Sequence, residues 1–118
     1  MRSRQDMYKL QIRDDDGHAT TVSLQDLEES DVTIGREEGN TIRLTERNVS
    51  RHHARLYADE EGVSLEDLSR YGIRVNGRRI SKSAALDVDD LLTIGDYEVT
   101  LALEGDTLID EQPLADTL

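Results

Sequence analysis

Three short stretches of this 118-residue chain carry the side chains best suited to chemistry: Gly35-Arg36, Asn48-Val49-Ser50-Arg51-His52-His53-Ala54, and Asp67-Leu68-Ser69-Arg70-Tyr71-Gly72. They offer guanidinium groups at Arg36, Arg51 and Arg70 and hydroxyls at Ser50 and Ser69. A guanidinium is planar, permanently charged, and donates paired hydrogen bonds that match a phosphate or a carboxylate. Small hydroxyl donors complete an anion cage without crowding it. A phosphate dianion presents more charge than a carboxylate, so a phosphorylated side chain is the natural ligand. Spacing alone does not bring these groups together, and a solvated surface of mixed charge is the competing reading.

Other chemistries find less support. The chain has no Cys, which excludes disulfides, thiolate zinc sites and a cysteine nucleophile. His52 and His53 adjoin, but His18 is remote in sequence, so no metal is expected. The runs Asp14 to Asp16 and Asp87, Asp89, Asp90 lack the twelve-residue calcium-loop spacing and read as solvated turns. There is no Gly-x-Ser-x-Gly elbow, no Gly-x-x-x-x-Gly-Lys loop and no convincing carboxylate pair, so neither catalysis nor a cofactor is expected.

The formal net charge of −12 argues against general affinity for nucleic acid or anionic lipid. Charge is unevenly placed. Ten of the 14 basic residues and eight of the 26 acidic ones lie between Arg36 and Lys82, so a locally basic middle is framed by acidic ends. The amino terminus, Met1 to Lys9, has no apolar run and resembles neither a secretory signal nor a membrane anchor. A soluble, cytoplasmic monomer is the expectation.

The elements that must position the three stretches are strands. Tyr8 to Arg13 alternates, with Tyr8, Leu10 and Ile12 on one face, and Asp14-Asp15-Asp16-Gly17 turns it into Ala19 to Leu24. Further strands are expected at 31–36, 41–43, 54–58, 63–67, 73–75, 91–94 and 97–103, with turns at 59–62, Asn76-Gly77 and Gly95-Asp96. A short helical turn at 24–29, capped by Ser23, is the one rival signal. Strands this short at such spacing predict an all-β sandwich of two mainly antiparallel sheets, with the three stretches as loops at one end. The core must be Leu, Ile, Val and Ala with a few Tyr, since Trp and Phe are absent. One domain is expected over 8–103, after an N-terminal extension at 1–7. Residues 104–118, acidic and holding the only proline, read as a tail or linker.

Gly35-Arg36, Ser50-Arg51-His52-His53-Ala54, Asp67-Leu68-Ser69, Val75-Asn76-Gly77 and Ile94-Gly95-Asp96 resemble, in order and spacing, the successive signatures of forkhead-associated (FHA) domains. The resemblance covers roughly Tyr8 to Leu103 and implies a module that binds phosphothreonine peptides made by Ser/Thr kinases. It implies that Arg36, Ser50 and Arg51 meet the phosphate, that Ser69, Arg70 and Tyr71 lie on a second recognition loop, and that Asn48 sits where the residue at +3 is selected. Gly35, His53, Asn76 and Gly77 would be structural: His53 bracing the recognition loop, Asn76 tying neighbouring loops together. One departure stands out. The commonest family loop is Ser-x-Asn-Gly-Thr, whereas this chain has Ser69-Arg70-Tyr71-Gly72-Ile73, so Tyr71 replaces the asparagine that holds the ligand's backbone. That motivates an alternative, a phosphate-independent protein–protein scaffold with its own tail as a candidate regulator, where Asp110 lies three residues after Thr107.

Overall fold

Alternation decides which side of each strand is buried. In the strand β1 (Tyr8–Arg13), Leu10 and Ile12 point inward and Gln11 and Arg13 outward. In the computed structural model, which describes residues 8–24, 27 and 30–103, all the regular elements are strands. After β1 come β2 (Ala19–Leu24), β3 (Val32–Gly35), β4 (Ile42–Arg43), β5 (Ala54–Asp59) and β6 (Gly62–Asp67). They are followed by β7 (Arg74–Val75), β8 (Arg78–Arg79), β9 (Ser83–Leu86), β10 (Leu91–Ile94) and β11 (Tyr97–Leu103). Among the described residues no helix is long and apolar enough to cross a membrane.

The strands form one sheet in the order β2-β1-β11-β10-β7-β8 and a second in the order β4-β3-β5-β6-β9. All pairings are antiparallel except the short parallel contact of β3 with β4, where Gly35 partners Arg43. β1 and β11 pair along their length, from Tyr8 opposite Leu103 to Arg13 opposite Glu98. Leu10, Leu92, Val99 and Leu101 from the first sheet face Ile34, Leu56, Val63 and Leu65 from the second, all essentially solvent-free. Ile73, ahead of β7, is buried in the same core. Burying such side chains is worth about 1.5–3 kcal/mol each and is the main force joining the sheets.

β1, β2, β10 and β11 coincide with the expected strands, and β3 to β7 do so within one or two residues. Two strands were not foreseen. β8 is a pair of arginines held by the β7 hairpin, and β9 reads Ser-Ala-Ala-Leu, small residues that carry little strand signal; only its pairing with β6 defines it. The rival helical turn, the extension at 1–7 and the tail at 104–118 fall largely or wholly outside the described residues. In the β1–β2 turn, the Asp14 carboxylate accepts the amides of Asp16 and His18, which draws Asp14, Asp16 and His18 together at the surface.

Asn76 and Gly77 both have positive φ, 53° and 85°, the pairing a tight two-residue hairpin turn requires. Asn76 does a second job: its amide donates to Asp90 Oδ1 at 2.9 Å while its oxygen accepts the Leu91 amide at 2.9 Å. It therefore locks the β7–β8 turn onto the turn before β10. Asn76→Gly keeps the backbone and loses the two side-chain bonds, so it should lower unfolding free energy by about 1–2 kcal/mol. Asn76→Ala adds strain at positive φ and should cost about 2–4 kcal/mol. Urea denaturation of the two variants beside the wild type measures both differences.

Candidate functional site

The parallel contact of β3 with β4 throws residues 36–41 out as a loop, and that loop is built on the 48–53 stretch. Arg36 N donates to Ser50 O at 2.9 Å, and Arg36 Nε donates to Val49 O at 3.0 Å. The guanidinium is thus aimed by one nitrogen and keeps its two amino groups for a ligand. Gly35 is required for a steric reason and not for a turn. A Cβ there would stand 2.1 Å from the Arg51 carbonyl oxygen, which closes over this position. That same carbonyl accepts the Asn40 amide at 2.8 Å and the Glu37 backbone N–H at 3.3 Å.

Ser50 is nearly buried, and its hydroxyl oxygen accepts the backbone N–H of Arg70 at 3.0 Å. This bond joins the 48–53 loop to the 68–73 loop. It occupies a lone pair only, so the hydroxyl proton is left to donate, with no acceptor among the described residues. Ser69 is arranged the other way. Its hydroxyl donates to Asp67 Oδ1 at 2.6 Å and accepts the Gly72 N–H at 2.7 Å, so it shapes the second loop from within. Arg70 and Tyr71 are exposed on that loop.

His53 holds both loops from below. It is fully buried, and its Nδ1 accepts the Ser50 N–H at 3.0 Å while Nε2 lies 3.2 Å from the Gly72 carbonyl. An acceptor at Nδ1 requires the proton to sit on Nε2, so the ring is the neutral Nε2–H tautomer and donates to Gly72 O. Tyr71 stacks on its face, with ring centroids 6.4 Å apart and planes at 20°. Burial pushes the His53 pKa below its ordinary 6.5, outweighing the Gly72 carbonyl and the charge of Asp67, which raise it.

Arg36, Arg43 and Arg51, with Glu37 and Glu38 at the rim, line an open cleft of about 480 Å³. Glu37 is engaged with His52 at 3.0 Å, and Glu38 stands 4.0 Å from Arg43. Arg43 and Asn40 were missed by sequence reasoning. Arg43 joins the site because β4 runs parallel to β3 and sets it beside Gly35, where its Nε donates to Arg36 O at 2.8 Å. The Gly39-Asn40 pair was the only sequence signal for the loop brace. Asn48 lies apart from the cleft: its amide oxygen is buried, has no hydrogen-bond partner among the described residues, and packs on Gly95, where a Cβ would approach to 2.8 Å. That contact makes it an anchor between the 48–53 loop and the β10–β11 turn. Asn76 and Gly77 sit at the opposite end of β10 from Gly95, so they brace the sandwich and not the cleft.

The FHA domain family profile matches residues 32–95. Nibrin of Danio rerio is 27% identical over 105 residues, which are 87% of this chain and 12% of nibrin. The transcriptional regulatory protein EmbR of Mycobacterium tuberculosis is 36% identical over 75 residues, 63% of this chain and 19% of EmbR. The chain therefore spans less than a fifth of either relative. Among solved structures, the FHA domain of CT664 from Chlamydia trachomatis matches with a TM-score of 0.73 at 22% identity, over 81% of this chain and 96% of that one, a likeness of fold. EmbR in complex with a low affinity phosphopeptide matches with a TM-score of 0.65 at 32% identity, over 80% of this chain and 24% of that one.

Protonating His53 would break the Ser50 N–H bond to Nδ1, so the folded state resists it. Below pH 6.5 the unfolded chain takes up a proton at this position that the folded chain refuses, and stability falls as pH falls towards the lowered folded pKa. Urea unfolding between pH 7.5 and 5.5 should show this loss in the wild type. His53→Gln should be less stable at pH 7.5 and show a shallower dependence over the same window.

Proposed function

Because the chain belongs to the FHA domain family, we propose that it is a recognition module that docks a phosphothreonine of a partner protein at the cleft lined by Arg36, Arg43 and Arg51, with the Ser50 hydroxyl, next to Arg51 in the chain, as a further donor. The observation that carries this reading is the state of Ser50 and Arg36. Both are fixed in place by bonds to neighbouring loops, yet each keeps donors unused. Preorganised donors with free protons suit a dianion held by charge-assisted hydrogen bonds. The phosphopeptide complex of EmbR supports the same reading by relationship.

In this reading a Ser/Thr kinase creates the ligand, and the module catalyses nothing. Arg36 and Arg51 supply charge, with Arg43 steering Arg36 through its carbonyl. Ser50 donates its proton to a phosphate oxygen. Ser69 contributes by holding the second loop in shape, and Arg70 and Tyr71 offer it to the rest of the ligand. Asn48 acts on selectivity through the loop it anchors. A second reading is motivated by Leu68 and Tyr71, which are 45% and 55% exposed on either side of Ser69-Arg70. Each offers exposed apolar surface of the kind a phosphate-independent partner uses.

Titration with a degenerate phosphothreonine peptide library and its unphosphorylated counterpart separates the two readings. Phosphate-dependent binding is expected, and Arg36→Ala or Ser50→Ala should weaken it by about 1.5–3 kcal/mol, roughly 10- to 150-fold. Equal binding of both libraries, unmoved by Arg36→Ala, would replace the reader with the scaffold.

A further inference from the structure

From Leu68 to Leu86 the chain holds five cations, Arg70, Arg74, Arg78, Arg79 and Lys82, and no acidic residue, within a protein of net charge −12. The register places two of them directly opposite each other, Arg74 on β7 against Arg79 on β8, and both are exposed. Like charges at facing positions of an antiparallel pair repel. The next residue along the same row of the sheet is Thr93, opposite Arg74, which neutralises nothing. Further along that row Glu98 faces Arg13, so the register sets opposite charges side by side there and like charges here. Among the described residues no carboxylate pairs with any of the five cations, and the guanidinium of Arg74 has only a 3.4 Å contact to the Gly77 carbonyl.

This repelling pair adjoins the candidate site. The Arg79 guanidinium lies over Gly72, where a Cβ would meet its Nε at 2.6 Å, and Gly72 is the residue whose carbonyl His53 holds. Two residues back, Arg70 donates its N–H to Ser50. An extended ligand advances about 3.3 Å per residue, so a chain with its phosphothreonine at Ser50 reaches Arg79 and Arg74 within a few residues.

Resting on the phosphothreonine reading above, we propose that Arg74 and Arg79 form a second anion subsite that selects partners with a further negative residue, phosphorylated or acidic, flanking the phosphothreonine. The bound anion relieves the repulsion between the two guanidiniums, and the weak 3.4 Å contact of Arg74 to the Gly77 carbonyl does little to hold its guanidinium back. The favoured ligand is a protein segment and not a nucleic acid, because a continuous polyanion would bring its charge against the acidic remainder of the molecule.

The test is calorimetric titration with four peptides: one phosphothreonine with neutral flanks, the same with three glutamates before or after it, and one with a second phosphothreonine. The proteins are the wild type, Arg74→Gln, Arg74→Gln with Arg79→Gln, and Arg36→Ala, each checked by thermal melting. At least one anionic flank should tighten wild-type binding about five- to tenfold, with the gain shrinking at high salt. The double variant should lose that gain while keeping wild-type affinity for the neutral-flanked peptide. Arg74→Gln, which gives up a single weak contact, should lose part of it even if Arg79→Gln perturbs the loop. Equal wild-type affinity for all four peptides, or a gain that survives the double variant, overturns the subsite and leaves the reader standing. No binding to any phosphopeptide, or binding indifferent to Arg36→Ala, overturns the reader and the subsite with it.

Discussion

The candidate site depends on one buried imidazole. His53 accepts the Ser50 N–H at one nitrogen and donates to the Gly72 carbonyl at the other, so a single side chain carries further into both loops the link that the Leu68 N–H to His53 carbonyl bond makes at their base. Ser50 then bonds Arg70 across the gap, and the neighbouring carbonyls of Val49 and Ser50 aim Arg36. Remove the ring and each of these bonds loses the reference it is built on. A buried polar group is costly unless it is satisfied, and here both nitrogens are, which is why a histidine can be fully buried beneath the loop end of an aliphatic sandwich.

Around that centre the protein separates two kinds of order. Sheet packing is apolar and tolerant of exchange between Leu, Ile and Val, whereas the loop end is polar and held by directed hydrogen bonds that leave the Ser50 hydroxyl proton and the Arg36 amino groups free. Gly35 and Gly72 are where the two kinds meet. Each leaves room for an atom that no Cβ would allow, the Arg51 carbonyl at one and the Arg79 guanidinium at the other. Serine 50 and serine 69 show how the same hydroxyl serves opposite ends: one keeps its proton free and the other spends it on Asp67.

Much of the sandwich was legible because alternation and turn chemistry agree. Strands such as Tyr8–Arg13 and Tyr97–Leu103 bury one face, and Asn76-Gly77 can hardly be anything but a turn. β8 and β9 were illegible because their conformation comes from their neighbours: two exposed arginines and a run of serine and alanine become strands only by pairing. At the site, the residue types of Arg36, Ser50 and His53 pointed to it through the family resemblance. The direction of each hydroxyl, the inward turn of Asn48 and the place of Arg43 did not, since these follow from the parallel register of β3 with β4 and from loop contacts that no linear pattern encodes.

The pairing of β1 with β11 sets Tyr8 opposite Leu103, at the far end of β11 from the Gly95 turn that touches the loop end. The described sandwich is therefore entered and left through a single doorway, on the side away from its cleft. Such an arrangement behaves as a cassette: it can be spliced into a host polypeptide at one surface position, with the host's two cut ends a strand's width apart and the binding face turned outward. A fold plumbed in this way can be carried by proteins of very different size without being rebuilt.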